Sequence, residues 1–328
     1  MLMSTRKHIN DFLSSVSGLF KLTRVLNRPS RMVVEPTNYC NLSCPLCPTG
    51  SKTLEAPKGY MDLDKYKALV DELKDCLRNI EFCGYGEPLL NQNIDKMISH
   101  AVGYGIHTML VTNGQLLRKN NWAEKLVDSG LNKIKISLDG LSQETLSKYR
   151  VNASFDELME GIQKINEAKE RRNTKFPIIL LQFIVMRHNE HEVPLLKDFG
   201  KKLKAKIKLK TLCTKQIYQA SEFLPKDQKY SRYDFNESKK VLDSKIKQPD
   251  VCVMAWTWAH VNWDGSVVPC CKDPHRKHEI GNTFAVGSFL DIWNSPAYVK
   301  FRKELLCNRK KLFACKNCVL PPAGKILR

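Results

Sequence analysis

The sequence contains no uninterrupted apolar run approaching the ~20 residues a helix needs to cross a bilayer, and its N-terminus lacks a signal-peptide pattern. A transmembrane protein is therefore not expected, and the cytoplasm is the expected location. Internal repeats and low-complexity segments are also missing, which argues against a solenoid or a disordered tail. Carboxylates are outnumbered: 34 Asp and Glu face 53 Lys and Arg, for a formal net charge of +19. Such a field concentrates anionic partners. The basic residues are spread through stretches such as "KDFGKKLKAKIKLK" and "NRKKLFACKNC", so they read first as a solvated basic surface. An anionic substrate, an acidic membrane surface and nucleic acid all stay open on charge alone. Metal-ligand histidine pairs are absent too, and His188, His191, His260, His275 and His278 are expected at the surface or at hinges.

What is present begins with length. A chain of 328 residues exceeds one ordinary core, which predicts one large domain and a smaller one. With 42% apolar and 27% charged residues the composition is globular. Twelve cysteines in a reducing compartment stay thiols, and so many thiols call for a metal. Short β-rich runs end in turn residues at "RMVVEP", "NIEFCGYG", "IHTMLVTNG", "KIKISLDG", "PIILLQFIVMRHN" and "IKLKTLC", with helical periodicity between them. In "LDKYKALVDELKDCL", Leu63, Tyr66, Leu69, Val70, Leu73, Cys76 and Leu77 form one apolar stripe, which makes Cys76 a core residue. This alternation predicts an α/β fold with a parallel sheet and right-handed crossovers, whose function lies at the C-terminal strand ends.

Four segments are expected. Residues 1–28 form a basic helical segment that packs on the next domain through Phe12, Val16, Leu19, Phe20 and Val25. Residues 29–213 carry the alternation, 214–250 a polar connector, and 251–328 a small cysteine-rich unit. In that last unit "MAWTWAHVNWDGSVVPCC" signals a hairpin turning at Asp264 and Gly265.

The run "CNLSCPLCPTG" places Cys40, Cys44 and Cys47 after the first strand. Three thiolates can hold three irons of a cubane and leave the fourth iron open to another ligand, by the logic that separates open from closed metal sites. Half of a zinc site is the alternative on spacing alone. Here the sequence resembles the radical S-adenosylmethionine superfamily, whose Cx3CxΦC signature these cysteines meet. The resemblance implies a partial (β/α)6 TIM-like barrel and a 4Fe-4S cluster whose open iron is chelated by S-adenosylmethionine. It further implies that Gly84, Tyr85, Gly86, Glu87 and Pro88 of "CGYGEP" meet the methionyl amine. Thr112, Asn113 and Gly114 of "TNG", with Ser137 and Asp139 of "SLDG", would provide ribose and carboxylate contacts. Arg150 would bind a carboxylate, and Val185 would lie near the adenine. Leu46 departs from the aromatic that many members carry before the third cysteine.

The C-terminal unit resembles the SPASM or twitch domains that follow such barrels. Cys252, Cys270, Cys315 and Cys318 match it in order and suffice for one auxiliary 4Fe-4S cluster, with zinc as the alternative. Cys271 and Cys307 are spare and could replace an assigned ligand. Cys83 and Cys213 fall near strand ends, where either could face the barrel mouth as a radical-quenching or ligating thiol, but both read first as buried core thiols.

The expected activity is that of a radical S-adenosylmethionine oxidoreductase. It would cleave the cofactor reductively, supplied by a donor such as flavodoxin or ferredoxin. Hydrogen would be abstracted from a small molecule, for instance a sugar or cyclitol alcohol oxidised with help from the auxiliary cluster. One rival is a maturase that forms thioether or carbon-carbon crosslinks in a peptide; another is a zinc-stabilised nucleic-acid-binding protein. No sequence feature names the general base.

Overall fold

In the computed structural model, residues 5–213, 220–236, 241–245, 252–315, 318 and 326–327 are described. Parts of the expected connector, the middle of "CKNC" and most of the last ten residues lie outside them. The chain opens with α1 (Thr5–Leu19), then β1 (Arg31–Val34), α2 (Leu63–Leu73), β2 (Asn79–Phe82), α3 (Ile94–Gly103) and β3 (His107–Thr112). It continues with α4 (Trp122–Asp128), β4 (Lys133–Ser137), α5 (Gln143–Tyr149), α6 (Phe155–Arg171), β5 (Ile178–Val185), α7 (Leu196–Lys202) and β6 (Lys206–Thr211). A hairpin, β7 (Tyr233–Asn236) and β8 (Val241–Ser244), follows within the expected connector. The C-terminal elements are α8 (Met254–Thr257), β9 (Trp258–Val261), β10 (Ser266–Val268), β11 (Gly281–Asn282), α9 (Thr283–Val286), α10 (Phe289–Trp293), α11 (Pro296–Asn308) and β12 (Ile326–Leu327).

The chain divides into two compact units. The first comprises Met1–Tyr39, Leu54–Leu110 and Pro249–Cys318; the second comprises Cys40–Thr53, Val111–Gln248 and Val319–Arg328. In the first, β9, β1, β2 and β3 run parallel in that order, and β10 and β11 continue antiparallel beyond β9. The expected C-terminal hairpin thus exists as β9 and β10, and its first strand pairs with β1, Arg31 facing Trp258 and Val33 facing His260. In the second unit β4, β5 and β6 are parallel neighbours, with β12 antiparallel on β6.

Local chemistry explains the elements. Asp62 caps α2, its Oδ1 accepting from the N–H groups of Asp64 at 3.0 Å and Lys65 at 2.9 Å. The stripe Tyr66, Leu69, Val70, Leu73 is buried, and Cys76 is buried with it. In the second unit Ser142 and Thr145 form a capping box on α5, and Ser154 caps α6. The interior of that unit is built from Leu158, Ile162 and Ile165 of α6 together with Ile134, Ile136, Ile179 and Leu181 of β4 and β5.

The N-terminal segment packs differently from expectation. Phe12, Leu19 and Phe20 are 68%, 77% and 67% exposed, and only Val25 of the expected stripe is buried. The inward face of α1 is polar because the chain from Leu22 to Arg28 folds back and offers backbone groups that need partners. Asn10 answers both, Oδ1 accepting from Arg28 N–H at 2.8 Å and Nδ2 donating to Arg28 O at 3.0 Å, while Ser17 Oγ accepts from Leu26 N–H at 3.0 Å. C-terminal side chains then lock the segment: Trp256 Nε1 donates to Leu22 O and Trp293 Nε1 to Asn27 O, each at 2.8 Å. Fully buried Arg302 lies 4.6 Å from the Trp293 ring and 4.1 Å from that of Tyr298, and its Nε donates to Ala255 O at 2.9 Å.

Candidate cofactor site

Cys40, Cys44 and Cys47 occupy one loop of the second unit. The loop is a tight turn, Cys47 N–H donating to Cys44 O at 3.1 Å. A Cβ on Gly50 would stand 2.5 Å from both the nitrogen and the oxygen of Cys44, so only glycine lets the return strand of the loop approach. Burial pushes the Cys44 thiol up, while the Arg150 guanidinium, with Nη1 3.6 Å from Sγ, pulls it down. Arg150 is itself held by fully buried Asp139: Nε and Nη2 lie 2.7 and 2.5 Å from Oδ2. The other oxygen, Asp139 Oδ1, accepts from Ile184 N–H at 2.7 Å. Asp139 and Arg150 therefore form one buried ion pair against the cysteine loop.

Asn113 Nδ2 donates to Asn41 Oδ1 at 2.8 Å and lies 3.9 Å from Cys40 Sγ. Thr112 Oγ1 accepts from Gly114 N–H at 3.0 Å, and Gly114 holds φ +83°, a left-handed conformation that suits glycine. Ser137 faces Gln182 across the β4–β5 register. Val185 is buried; strand alternation puts Ile184, not Val185, on the face shared with Gln182 and Ser137. Ile184 packs on a cluster of Leu46, Tyr149, Met186, Leu212 and Leu224, an apolar wall over the third cysteine's neighbour.

In the first unit, Gly84 to Pro88 follow β2. A Cβ on Gly84 would stand 2.5 Å from the Glu35 side chain, and one on Gly86 would collide with the carbonyl oxygens of Thr37 and Tyr39. Glu87 is buried, donates its N–H to Tyr39 O at 2.8 Å and caps the following turn, Oε1 accepting from Leu89 N–H at 3.1 Å. Sequence reasoning missed Glu35. Burial raises its carboxyl to about 7, against a hydrogen bond of 2.9 Å from Tyr85 N–H to Oε1. Tyr85 Oη donates in turn to Cys271 O at 2.8 Å, tying this turn to the C-terminal cysteines.

Those cysteines gather within the same unit. Cys315 and Cys318 are buried and joined by a turn, Cys318 N–H donating to Cys315 O at 2.9 Å. Burial raises the thiols of Cys252 and Cys315, and each is raised further by Cys270, Cys318 and, for Cys315, Cys252. Cys252 and Cys315 thus lie near Cys270 and Cys318, and Cys270 is itself raised first by a hydrogen bond with Cys271 and then by burial. Among the described residues no three His, Cys, Asp or Glu stand at the spacing of a single metal ion; a cubane separates its ligands more widely than one ion does. Cys271 and Cys307 are exposed. Cys83 is half-buried, and Cys213 is exposed rather than in the core as expected of it. His260 departs from the surface position expected of it: it is 2% exposed on β9, and burial lowers it to about 3.

Residues 34–203 match the Radical SAM superfamily, and residues 252–319 match SPASM, an iron-sulfur cluster-binding domain. A Pyrococcus furiosus protein, "Tungsten-containing aldehyde ferredoxin oxidoreductase cofactor-modifying protein", is 26% identical over 89% of this chain and 88% of its own. The "AdoMet-dependent heme synthase" of Methanosarcina barkeri is 28% identical over 55% of this chain, which spans only 49% of that relative. Among solved structures, BtrN in complex with AdoMet and 2-DOIA covers 89% of this chain and 93% of its own, with 21% identity and a TM-score of 0.52. SuiB of Streptococcus suis bound to S-adenosylmethionine covers 92% of this chain and 73% of its own, with 18% identity and a TM-score of 0.65. No helix among the described residues is long and apolar enough to cross a membrane.

Proposed function

Because this chain belongs to the radical S-adenosylmethionine superfamily and carries a SPASM domain, we propose that it oxidises a small-molecule alcohol, of the sugar or cyclitol type, by two electrons. Bound to Cys40, Cys44 and Cys47, a 4Fe-4S cluster would supply the electron that cleaves S-adenosylmethionine and generates the hydrogen-abstracting deoxyadenosyl radical. The chain's own residues position and shield that chemistry. Arg150, fixed by Asp139, sets a positive charge beside Cys44. The close-packed turn from Gly84 to Pro88 holds its backbone on Glu35 and Tyr39 to receive the methionyl amine. Thr112, Asn113 and Ser137 are assigned to the nucleoside side, and the wall around Leu46 keeps water from the reacting centre.

The observation that carries the oxidative reading is the gathering of Cys252, Cys270, Cys315 and Cys318 in one unit, with Cys315 and Cys318 joined by a single turn and Cys270 and Cys318 acting on both Cys252 and Cys315. One auxiliary 4Fe-4S cluster held there would take the second electron from the substrate. The test is turnover under reductant with candidate alcohols. Deoxyadenosine release together with a product lighter by two hydrogens is expected; a substrate that gains a crosslink instead would sink the reading. A peptide-modifying role is the second reading. It is favoured by the higher TM-score with SuiB, which has also been solved bound to the precursor peptide SuiA.

A further inference from the structure

One face of β4, β5 and β6 in the second unit carries charge that the proposed reaction does not use. Strand side chains alternate between faces. The register sets Lys135 beside Leu180 and Lys206, Ser137 beside Gln182 and Lys208, and Ile184 beside Lys210. The opposite face, with Ile134, Ile136, Leu181, Phe183 and Ile207, is buried core. The lysine face looks toward the cysteine loop. Ile184 packs on the cluster that contains Leu46, and its N–H donates to Asp139, whose partner Arg150 lies against Cys44. The three strands, "KIKIS", "IILLQFIV" and "KIKLKT", contain no Asp or Glu.

Buried cations ordinarily recruit a carboxylate, because an unpaired buried charge is costly. These do not. Burial lowers Lys210 to about 8, and Lys135, Lys208 and Arg232 push it the same way, with Cys213 opposing. Arg232 is 4% exposed. Its Nε and Nη2 donate to Thr211, at 2.5 Å to Oγ1 and 3.3 Å to O, but its Nη1 is buried with no partner among the described residues. An interior guanidinium donor left without an acceptor, beside lysines that repel one another, is what a multiply charged oxyanion would relieve. Guanidinium matches phosphate geometry, and lysines add point charge.

We propose that the substrate of this site is a phosphate-bearing small molecule, its phosphate held by Lys135, Lys210 and Arg232 beside Lys208. The proposal rests on the radical-enzyme reading and deepens it: the phosphate is the handle whose binding energy fixes the reacting carbon toward the cysteine loop.

Pyrophosphate is the probe. The full chain, reconstituted anaerobically, is titrated with pyrophosphate in a calorimeter, an experiment that needs no turnover. Deoxyadenosine release by the same wild-type preparation tests the radical reading separately. Saturable binding is expected, weakened at least tenfold by Lys210→Gln and by Lys135→Gln and unchanged by Lys303→Gln at an exposed helical position. Lys135 is only half-buried, so its variant decides the matter if Lys210→Gln fails to fold. Three results would each overturn the proposal: no saturable binding by the wild type, equal binding by Lys135→Gln, or citrate binding as tightly as pyrophosphate.

Discussion

Glu35 is a residue whose titration the fold moves into the neutral range. Burial lifts its carboxyl from 4.5 to about 7, partly offset by the Tyr85 and Trp263 backbone hydrogen bonds. The folded protein therefore keeps a proton that the unfolded chain releases. Stability contributed by that proton is full at low pH and is lost as pH rises from about 4.5 through about 7, by about 3 kcal/mol once complete. Glu35→Gln retains an oxygen for the Tyr85 N–H and has no proton to lose. The wild-type denaturant midpoint should fall across that window relative to the variant; two parallel profiles would clear Glu35 of the effect. Nothing in "RMVVEP" announces this, because the burial is made by Gly84 approaching from a turn far along the chain. Cys40, Cys44 and Cys47 were legible for the opposite reason: their spacing is local, and one loop fixes it. Arg232 was not legible at all. Its Nη1, without a partner among the described residues, depends on where a loop outside the strand pattern lays the side chain.

At the scale of elements, two devices hold the strand ends in place. The first is the turn after β2, where a methyl group on Gly86 would meet the backbone oxygens of Thr37 and Tyr39, atoms that cannot step aside. Gly86→Ala should destabilise the fold by about 1–3 kcal/mol, the usual range for overpacking, and urea unfolding would show it as a lower midpoint with little change in slope. The second is the Asp139–Arg150 pair, which joins the end of β4 to the end of α5. Asp139→Asn leaves Arg150 buried without its counter-charge, and a loss of about 3–5 kcal/mol is expected. Asp139→Asn combined with Arg150→Met should recover part of that loss; a double variant no better than the single would show that the charge pair is not the cause. Period and turn chemistry made the alternating strands, the stripe of α2 and the Asp264–Gly265 hairpin readable. The inward polar face of α1 was not readable, since the backbone groups that Asn10 and Ser17 satisfy belong to a later fold-back of the chain.

For the whole molecule, the division of thiols into three and four is the feature that experiment can count. The sequence separates the two sets by spacing alone, but it could not reveal that β9 pairs with β1, because parallel pairing between distant segments leaves no local trace. Two clusters predict a brown protein with about eight irons and matching sulfide after anaerobic reconstitution. Replacing Cys252, Cys270, Cys315 and Cys318 together by alanine should lower the count to about four. A count that stays near eight would move the auxiliary ligands to other thiols, Cys271 and Cys307 first. Loss of Cys252, Cys270, Cys315 and Cys318 should also separate two activities. Cofactor cleavage depends on the open three-cysteine site and should persist in part, whereas oxidised product needs an acceptor for the second electron and should vanish. If the variant instead forms product at the wild-type rate, the closed cluster is structural, and the second electron of the reaction must leave by another route.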